Sequence, residues 1–244
     1  MSTGTEHQTI EQVADGVWVG IPAYGEGAIG AVVSGGAGVV VDTTSYEPFA
    51  ATFLAEVERS AGHAVDWQAL LVTHRHYDHF AGAAAIPAPV ITHRLTREAL
   101  DSYDTGWLSR NVANWIEQGM IIPELVGNPI SPRPWLTFDD RLTIHLDGGV
   151  DVVMIHTGGH TTDESMVYLP KQRLVFGGDN IFHKRTAFTG HGDLLAWISA
   201  LEEIKRLPID VVVPGHGPVG GADVIDAQLD DLRRRWAGFI KGDE

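Results

Sequence analysis

The chain of 244 residues contains no cysteine. That single absence excludes disulfides, thiolate nucleophiles, iron–sulfur clusters and cysteine-ligated zinc. Basic residues are scarce: 17 Lys and Arg stand against 32 Asp and Glu, a formal charge of −15. A surface that neutralises nucleic-acid phosphates needs a basic stripe, so this balance argues against a nucleic-acid partner. Long apolar runs are missing too. No window approaches the ~20 apolar residues of a membrane span, and the nearest, Ala28–Val41, is interrupted by Ser34 and by Gly30, Gly35, Gly36 and Gly38. The polar start, Met1–Glu11, has no basic segment leading into an apolar run, so no signal peptide is read there. The expectation is a cytoplasmic protein with no membrane partner.

What is present is enough apolar material, 44% of the chain, to bury a core in one layered domain. Residues 1–12 read as a flexible tail and 13–244 as a single domain, with a helical, Pro-rich insert at about 101–134. Val13–Gly20 alternates apolar and polar residues and predicts a strand. Ala28–Ser34 and Gly38–Val41 predict two more, joined at Gly35–Gly36. Phe49, Phe53, Leu54 and Val57 recur at helical spacing within Pro48–Ala61. Ala69–Val72 reads as a buried strand, Phe80–Ala85 as a small-residue helix, Pro89–Ile91 as a strand, and Arg94–Leu100 and Ser109–Gln118 as helices. Two hairpins are predicted at 141–156 and 165–176. A helix Leu194–Arg206, a strand Val211–Val213 and a final helix Val224–Ile240 follow. Val39–Asp42 and Leu174–Asp179 echo each other, each an apolar run ending in Asp. Two similar β-then-α halves of this kind suggest an α+β, four-layer αββα sandwich.

The stretch Thr73-His74-Arg75-His76-Tyr77-Asp78-His79 carries the most chemistry. It follows a buried strand, and on extended backbone His74, His76 and Asp78 share a face. His79 joins them where the chain turns into the next element. Neutral imidazole and carboxylate are the ligands for zinc, iron or manganese when no thiolate is available. Three single residues have the same character: His160 in Thr157-Gly158-Gly159-His160-Thr161, Asp179 in Phe176-Gly177-Gly178-Asp179, and His216 in Pro214-Gly215-His216-Gly217. Each lies past a predicted strand, where sheet-based folds place their sites. The adjacent glycines allow close backbone approach.

This ordered set, His-x-His-x-Asp-His and then a single His, Asp and His, resembles the metallo-β-lactamase fold superfamily over nearly the whole chain, from about Val13 to Val219. Gly158 departs from the family, which often has Pro there. The resemblance implies the αββα fold and two metal ions, zinc by preference, with iron or manganese as alternatives. It implies His74, His76 and His160 on one ion, Asp78, His79 and His216 on the other, and Asp179 bridging. It further implies a hydroxide held between the ions that attacks a bound carbonyl, with Asp78 orienting it and protonating the leaving group. Asp42, at the end of its strand, is expected to hold a ligating His.

Among branches of the superfamily, β-lactamases often use a Cys ligand or lack the bridging Asp, so antibiotic hydrolysis is disfavoured. Flavodiiron proteins have Glu where His76 stands, and the nuclease branch does not suit the charge. The preferred reading is a hydrolase of a small ester, thioester or lactone, similar to glyoxalase II and the lactonases. The alternative is a mononuclear iron persulfide dioxygenase on the same ligand frame; a non-catalytic metal-binding protein is disfavoured. Substrate contacts are expected from Tyr24 in the Pro22–Gly27 loop, and from Trp107 and Trp115 in the insert, with Tyr103, Met120 and Trp135 as further wall. His183, Lys184 and Arg185 are expected to meet an anionic group. His7, His63, His93, His145 and His156 are given no ligand role, and His191 could approach the site. Oligomeric state is left open.

Overall fold

A computed structural model describes residues 8–22, 26–103, 106–119 and 121–241. Two sheets stack face to face. The first has seven strands in sequence order: β1 (Thr9–Ala14), β2 (Val17–Ile21), β3 (Ile29–Ser34), β4 (Ala37–Val41), β5 (Asp66–Val72), β6 (Val90–His93) and β7 (Leu136–Phe138). The second runs β12 (Val211–Val213), β11 (Leu174–Phe176), β10 (Ser165–Leu169), β9 (Val150–His156) and β8 (Arg141–Leu146). Each half contains antiparallel strands that lead into a parallel pair, β4 with β5 and β11 with β12. The two Asp-terminated runs that echo each other in the sequence are β4 and β11.

The strand period of two decides which residues meet between the sheets. Val17, Val19, Val39, Val41 and Leu71 of the first sheet pack there on Val152, Met154, Val167, Leu169 and Phe176 of the second. Each such side chain, fully buried, contributes roughly 1.5–3 kcal/mol. The outer face of the first sheet is covered by α1 (Glu47–Ala61), which buries Phe49, Phe53, Leu54 and Val57. α2 (Arg94–Ser102) leads into the insert, which adds α3 (Trp107–Glu117) and the short α4 (Pro123–Val126). The outer face of the second sheet is covered by α5 (Leu194–Ile204) and α6 (Asp223–Lys241), through Trp197, Leu201, Leu229 and Leu232. These three apolar layers make the αββα sandwich.

Several local expectations are corrected. β1 starts at Thr9, inside the stretch read as tail, because the polar edge strand pairs antiparallel with β2. Val13–Gly20 is two strands: the chain turns at Asp15-Gly16, where Gly16 has φ +67° and an added Cβ would lie 2.4 Å from the Val33 carbonyl oxygen. Phe80–Ala85 does not form an α-helix. It lies in 3-10 turns at Tyr77–His79 and Ala81–Ala85, pressed so closely on the Asp42–Thr44 loop that Gly82 N–H donates to the Thr44 carbonyl at 3.0 Å. The Pro-rich end of the insert leads into the unexpected β7, which pairs parallel with β6.

Candidate metal centre

All seven candidate ligands stand beyond strand ends on one edge of the sandwich. β5 feeds His74, His76, Asp78 and His79, β9 leads to His160, β11 to Asp179 and β12 to His216. Backbone hydrogen bonds clamp the halves at this edge, from Ser165 N–H to the Thr73 carbonyl and from Ala28 N–H to the Gly215 carbonyl, both 2.9 Å. The side chains gather in two groups: His74, His76, His160 and Asp179, then Asp78, His79 and His216. Within each group, potential ligand atoms lie within 4.8 Å of one another.

Asp179 stands between the groups. Its Oδ2 is 3.3 Å from His160 Nε2 and 3.8 Å from His74 Nε2. Its Oδ1 is 3.1 Å from His79 Nε2 and 3.3 Å from His216 Nε2. The His79 contact lacks hydrogen-bond geometry: His79 Nε2 and Asp179 Oδ1 are both buried without a hydrogen-bond partner, as is His74 Nε2. A buried polar atom left unpaired is costly. Lone pairs of imidazole and carboxylate that converge on common points fit divalent cations. The two oxygens of one carboxylate facing two such points fit a pair. Gly215 makes room for this: a Cβ there would lie 2.1 Å from Asp179 Oδ1.

The electrostatics agree. Burial holds His74 well below the usual imidazole range and brings His76 down to about 4, with neighbouring imidazoles adding to both shifts. Burial lowers His160 too. Neutral imidazole is the form that binds metal. Burial would also depress His79 and His216, but surrounding carboxylates reverse it. Asp179, Asp78 and Asp42 push His79 well up, and Asp179 and Asp78 push His216 to about 10. Those imidazoles in turn overcome burial to lower Asp179 well below the carboxylate range and Asp78 to about 2. Protons on His79 and His216 thus stand in for the positive charge that the carboxylates attract.

The nitrogens of His74 and His79 turned away from the centre are held as well, whereas His160 Nδ1 is buried without a hydrogen-bond partner. Asp42 follows β4 in a left-handed conformation unusual for a non-glycine residue, φ +54°. Its Oδ2 is 2.8 Å from His79 Nδ1, and it accepts from Thr73 N–H and Thr73 Oγ1–H, also at 2.8 Å. His74 Nδ1 is 3.0 Å from Thr73 Oγ1. Asn180 fixes the His160 loop by accepting from His160 N–H at 2.9 Å and donating to the Gly158 carbonyl at 2.8 Å. Three residues that carried no site assignment in the sequence belong here. Glu164, fully buried, accepts from Asp179 N–H at 3.0 Å and is pushed well up by burial and by Asp179. Asn180 is the second. The third, Glu26, forms part of the wall beside Asp78 and bonds to Ser45; burial and the Asp78 charge raise it to about 8.

A cleft of about 420 Å³ opens onto the two groups. Trp115 lines it, stacked on Tyr77 at 3.7 Å, whereas Trp107 stacks on Tyr103 one layer behind. His191 does reach the site, with Nδ1 2.8 Å from His76 Nε2. His183, Lys184 and Arg185 are not among the described residues that line the cleft. His183 turns away, its Nδ1 2.7 Å from the Pro218 carbonyl oxygen. Trp135 is 70% exposed. Tyr24 and Met120 lie outside the described residues. His156 stacks on His93 at 3.7 Å, away from the cleft. A second hollow of about 530 Å³, between Tyr103, Leu108 and Pro129–Arg133 in the insert, contains none of the candidate ligands. Among the described residues no helix is long and apolar enough to cross a membrane.

Comparison with known proteins agrees with this geometry. The chain is 36% identical over 100 residues to a metallo-beta-lactamase type 2 of Bacteroides fragilis, a match covering 39% of this chain and 40% of that protein. It is 27% identical over 191 residues to a beta-lactamase-like protein 2 homolog of Drosophila melanogaster, covering 76% and 56%. It thus spans only about two fifths to just over half of these relatives. Among solved structures, a metallo-beta-lactamase from Pontibacter korlensis superposes with a TM-score of 0.71 at 23% identity, over 93% of this chain and 99% of that one, a likeness of fold. The model of the metallo-beta-lactamase superfamily matches residues 25–216, and the chain belongs to that superfamily.

Proposed function

We propose that the protein is a dinuclear zinc hydrolase acting on a small ester, thioester or lactone. The observation that carries this reading is the two-sided placement of Asp179, with Oδ2 toward His74 and His160 and Oδ1 toward His79 and His216. A complete second group, Asp78, His79 and His216, supports two ions over one. His74, His76 and His160 would hold the first ion, Asp78, His79 and His216 the second, and Asp179 both. When bound, such ions supply Lewis acidity toward a carbonyl oxygen and lower the pKa of a coordinated water to about 7.

The chain's own residues do the rest. Asp42 keeps the His79 proton on Nδ1, leaving Nε2 free as a ligand. His191 does the same for His76 from the opposite nitrogen. Asp78 Oδ2 lies 3.2 Å from His216 Nε2, and the neighbouring His79 and His216 lower its carboxyl to about 2 against the effect of burial. That suits it to accept a hydrogen bond and orient a nucleophile. Trp115, Phe182 and Phe188 narrow the cleft and exclude water from the acyl chain. Thioesterases that carry the names of atrochrysone carboxyl ACP thioesterases are among the relatives, one of them 30% identical over 89 residues and from Aspergillus fumigatus; this likeness supports an acyl substrate here.

The test is hydrolysis of a panel of thioesters, lactones and aryl esters by zinc-loaded protein. Turnover of at least one class is expected, abolished by chelation and reduced more than about 100-fold in Asp179→Asn, a larger loss than a supporting residue gives. Turnover that survives chelation would refute the proposal.

A further inference from the structure

The ligands assigned to the first ion come from two different sheets. His74 and His76 follow β5 of the first, and His160 follows β9 of the second. One backbone bond, Ser165 N–H to the Thr73 carbonyl at 2.9 Å, joins the two loops at their base. Arg75 and Asp163 join them again through side chains. Arg75 sits between His74 and His76, and Asp163 lies three positions past His160. The Arg75 guanidinium pairs with Asp163 Oδ1 and donates to Thr162 Oγ1 at 3.2 Å. Among the described residues it is the one Arg–carboxylate pair that links these loops. The α2 segment braces both ends: Thr96 Oγ1–H donates to the Asp163 carbonyl and Tyr103 Oη–H to the Arg75 carbonyl, each at 3.4 Å.

Stability alone does not account for this pair. Asp163 is fully buried, whereas the Arg75 side chain is 24% exposed. Asp163 Oδ2 is buried without a hydrogen-bond partner in the chain, so the guanidinium compensates the carboxylate through one oxygen only. Desolvation offsets most of what a buried ion pair gains, and apolar residues in its place are often neutral or stabilising. What the pair does supply is a fixed spacing between the two loops.

Resting on the reading of His74, His76 and His160 as ligands of the first ion, we propose that Arg75 and Asp163 are positioning residues that hold those ligands at their spacing before the ion binds. They touch neither the ion nor the substrate and act through the loops that carry them. Their effect is therefore confined to the first ion and separable from the stability of the fold.

The experiment removes the pair without changing net charge. Arg75→Met with Asp163→Ala deletes both charges, whereas Arg75→Met alone leaves the buried carboxylate unpaired. Zinc affinity is measured by competition with a chromophoric chelator in two full-length backgrounds: His216→Ala, which keeps the first group whole, and His76→Ala, which keeps the second. In the His216→Ala background the double change should weaken zinc binding roughly 10–100-fold. In the His76→Ala background it should leave zinc binding as it was. Arg75→Met alone should lower the melting temperature by several degrees, and adding Asp163→Ala should restore most of that loss. A pair with a structural role only would give an affinity that recovers along with the melting temperature.

First-group affinity unchanged by the double change would overturn the proposal, as would an equal loss in both backgrounds. A double variant no more stable than Arg75→Met alone would return the pair to a role in stability. A His216→Ala chain that binds no zinc would remove the ligand reading beneath it. If the selective loss is found while no ester, thioester or lactone is turned over, the positioning role stands and the hydrolase reading alone fails.

Discussion

Asp42→Asn isolates the support of one ligand with little backbone disturbance, since Asn tolerates the left-handed conformation at φ +54° as well as Asp does. The wild-type carboxylate meets Thr73 N–H, Thr73 Oγ1–H and His79 Nδ1, each at 2.8 Å. The Thr73 hydroxyl can rotate to accept from the new amide, but the other two cannot both be served. With the amide oxygen on Thr73 N–H, the NH2 group faces His79 Nδ1. The imidazole then satisfies it only by moving its proton to Nε2, the nitrogen beside Asp179. With the amide reversed, Thr73 N–H is stranded. Either way one buried N–H is unpaired or one ligand carries the wrong proton. The stability loss should be about 1–3 kcal/mol in urea unfolding. Affinity for the second ion should fall roughly 10–100-fold in competition with a chromophoric chelator, and the first ion should be unaffected. Unfolding within about 0.5 kcal/mol of wild type, with both affinities unchanged, would refute the reasoning.

His191→Ala removes the partner 2.8 Å from His76 Nε2; affinity for the first ion should drop roughly 10–100-fold and that for the second should hold, read by the same competition. Gly215→Ala puts a methyl 2.1 Å from Asp179 Oδ1 and 2.7 Å from the Gly178 carbonyl oxygen, so elemental analysis should show at least one ion lost per chain while the circular dichroism of the fold persists. In the metal-free protein, His216 is raised from 6.5 to about 10. A raised folded pKa contributes stability that is complete below pH 6.5 and lost as pH climbs toward 10, so the melting temperature should decline across that window, and His216→Gln should flatten the decline. Protons and metal compete for the same nitrogens, so metal affinity should rise over the same range.

The convergence of the seven candidate ligands was legible because its pattern is local: four residues within six positions, and three more each flanked by glycine at a strand end. Asp42 was legible for a related reason, as the Asp that closes a strand echoing the Asp179 strand. The residues behind them were not. Glu26, Glu164 and Asn180 acquire their roles from partners 19, 15 and 20 positions away, and no spacing rule marks such contacts. Charge in sequence says nothing of direction: the His183 ring turns to the Pro218 carbonyl oxygen, 2.7 Å from its Nδ1. The fold shows the same division. Amphipathic α1 and the second sheet's hairpins follow their periodicity. β1 and β7 are a polar edge strand and a three-residue strand after a Pro-rich run, held by pairing and not by pattern.

The proposed reaction requires two ions that share Asp179. Metal content per chain, measured by elemental mass spectrometry on protein expressed without added metal, tests it most directly. Two zinc ions per chain are expected, falling to one or fewer in Asp179→Asn. One iron per chain would contradict it and favour dioxygen chemistry on the same frame, and less than one firmly held ion of any kind would contradict the ligand assignment itself.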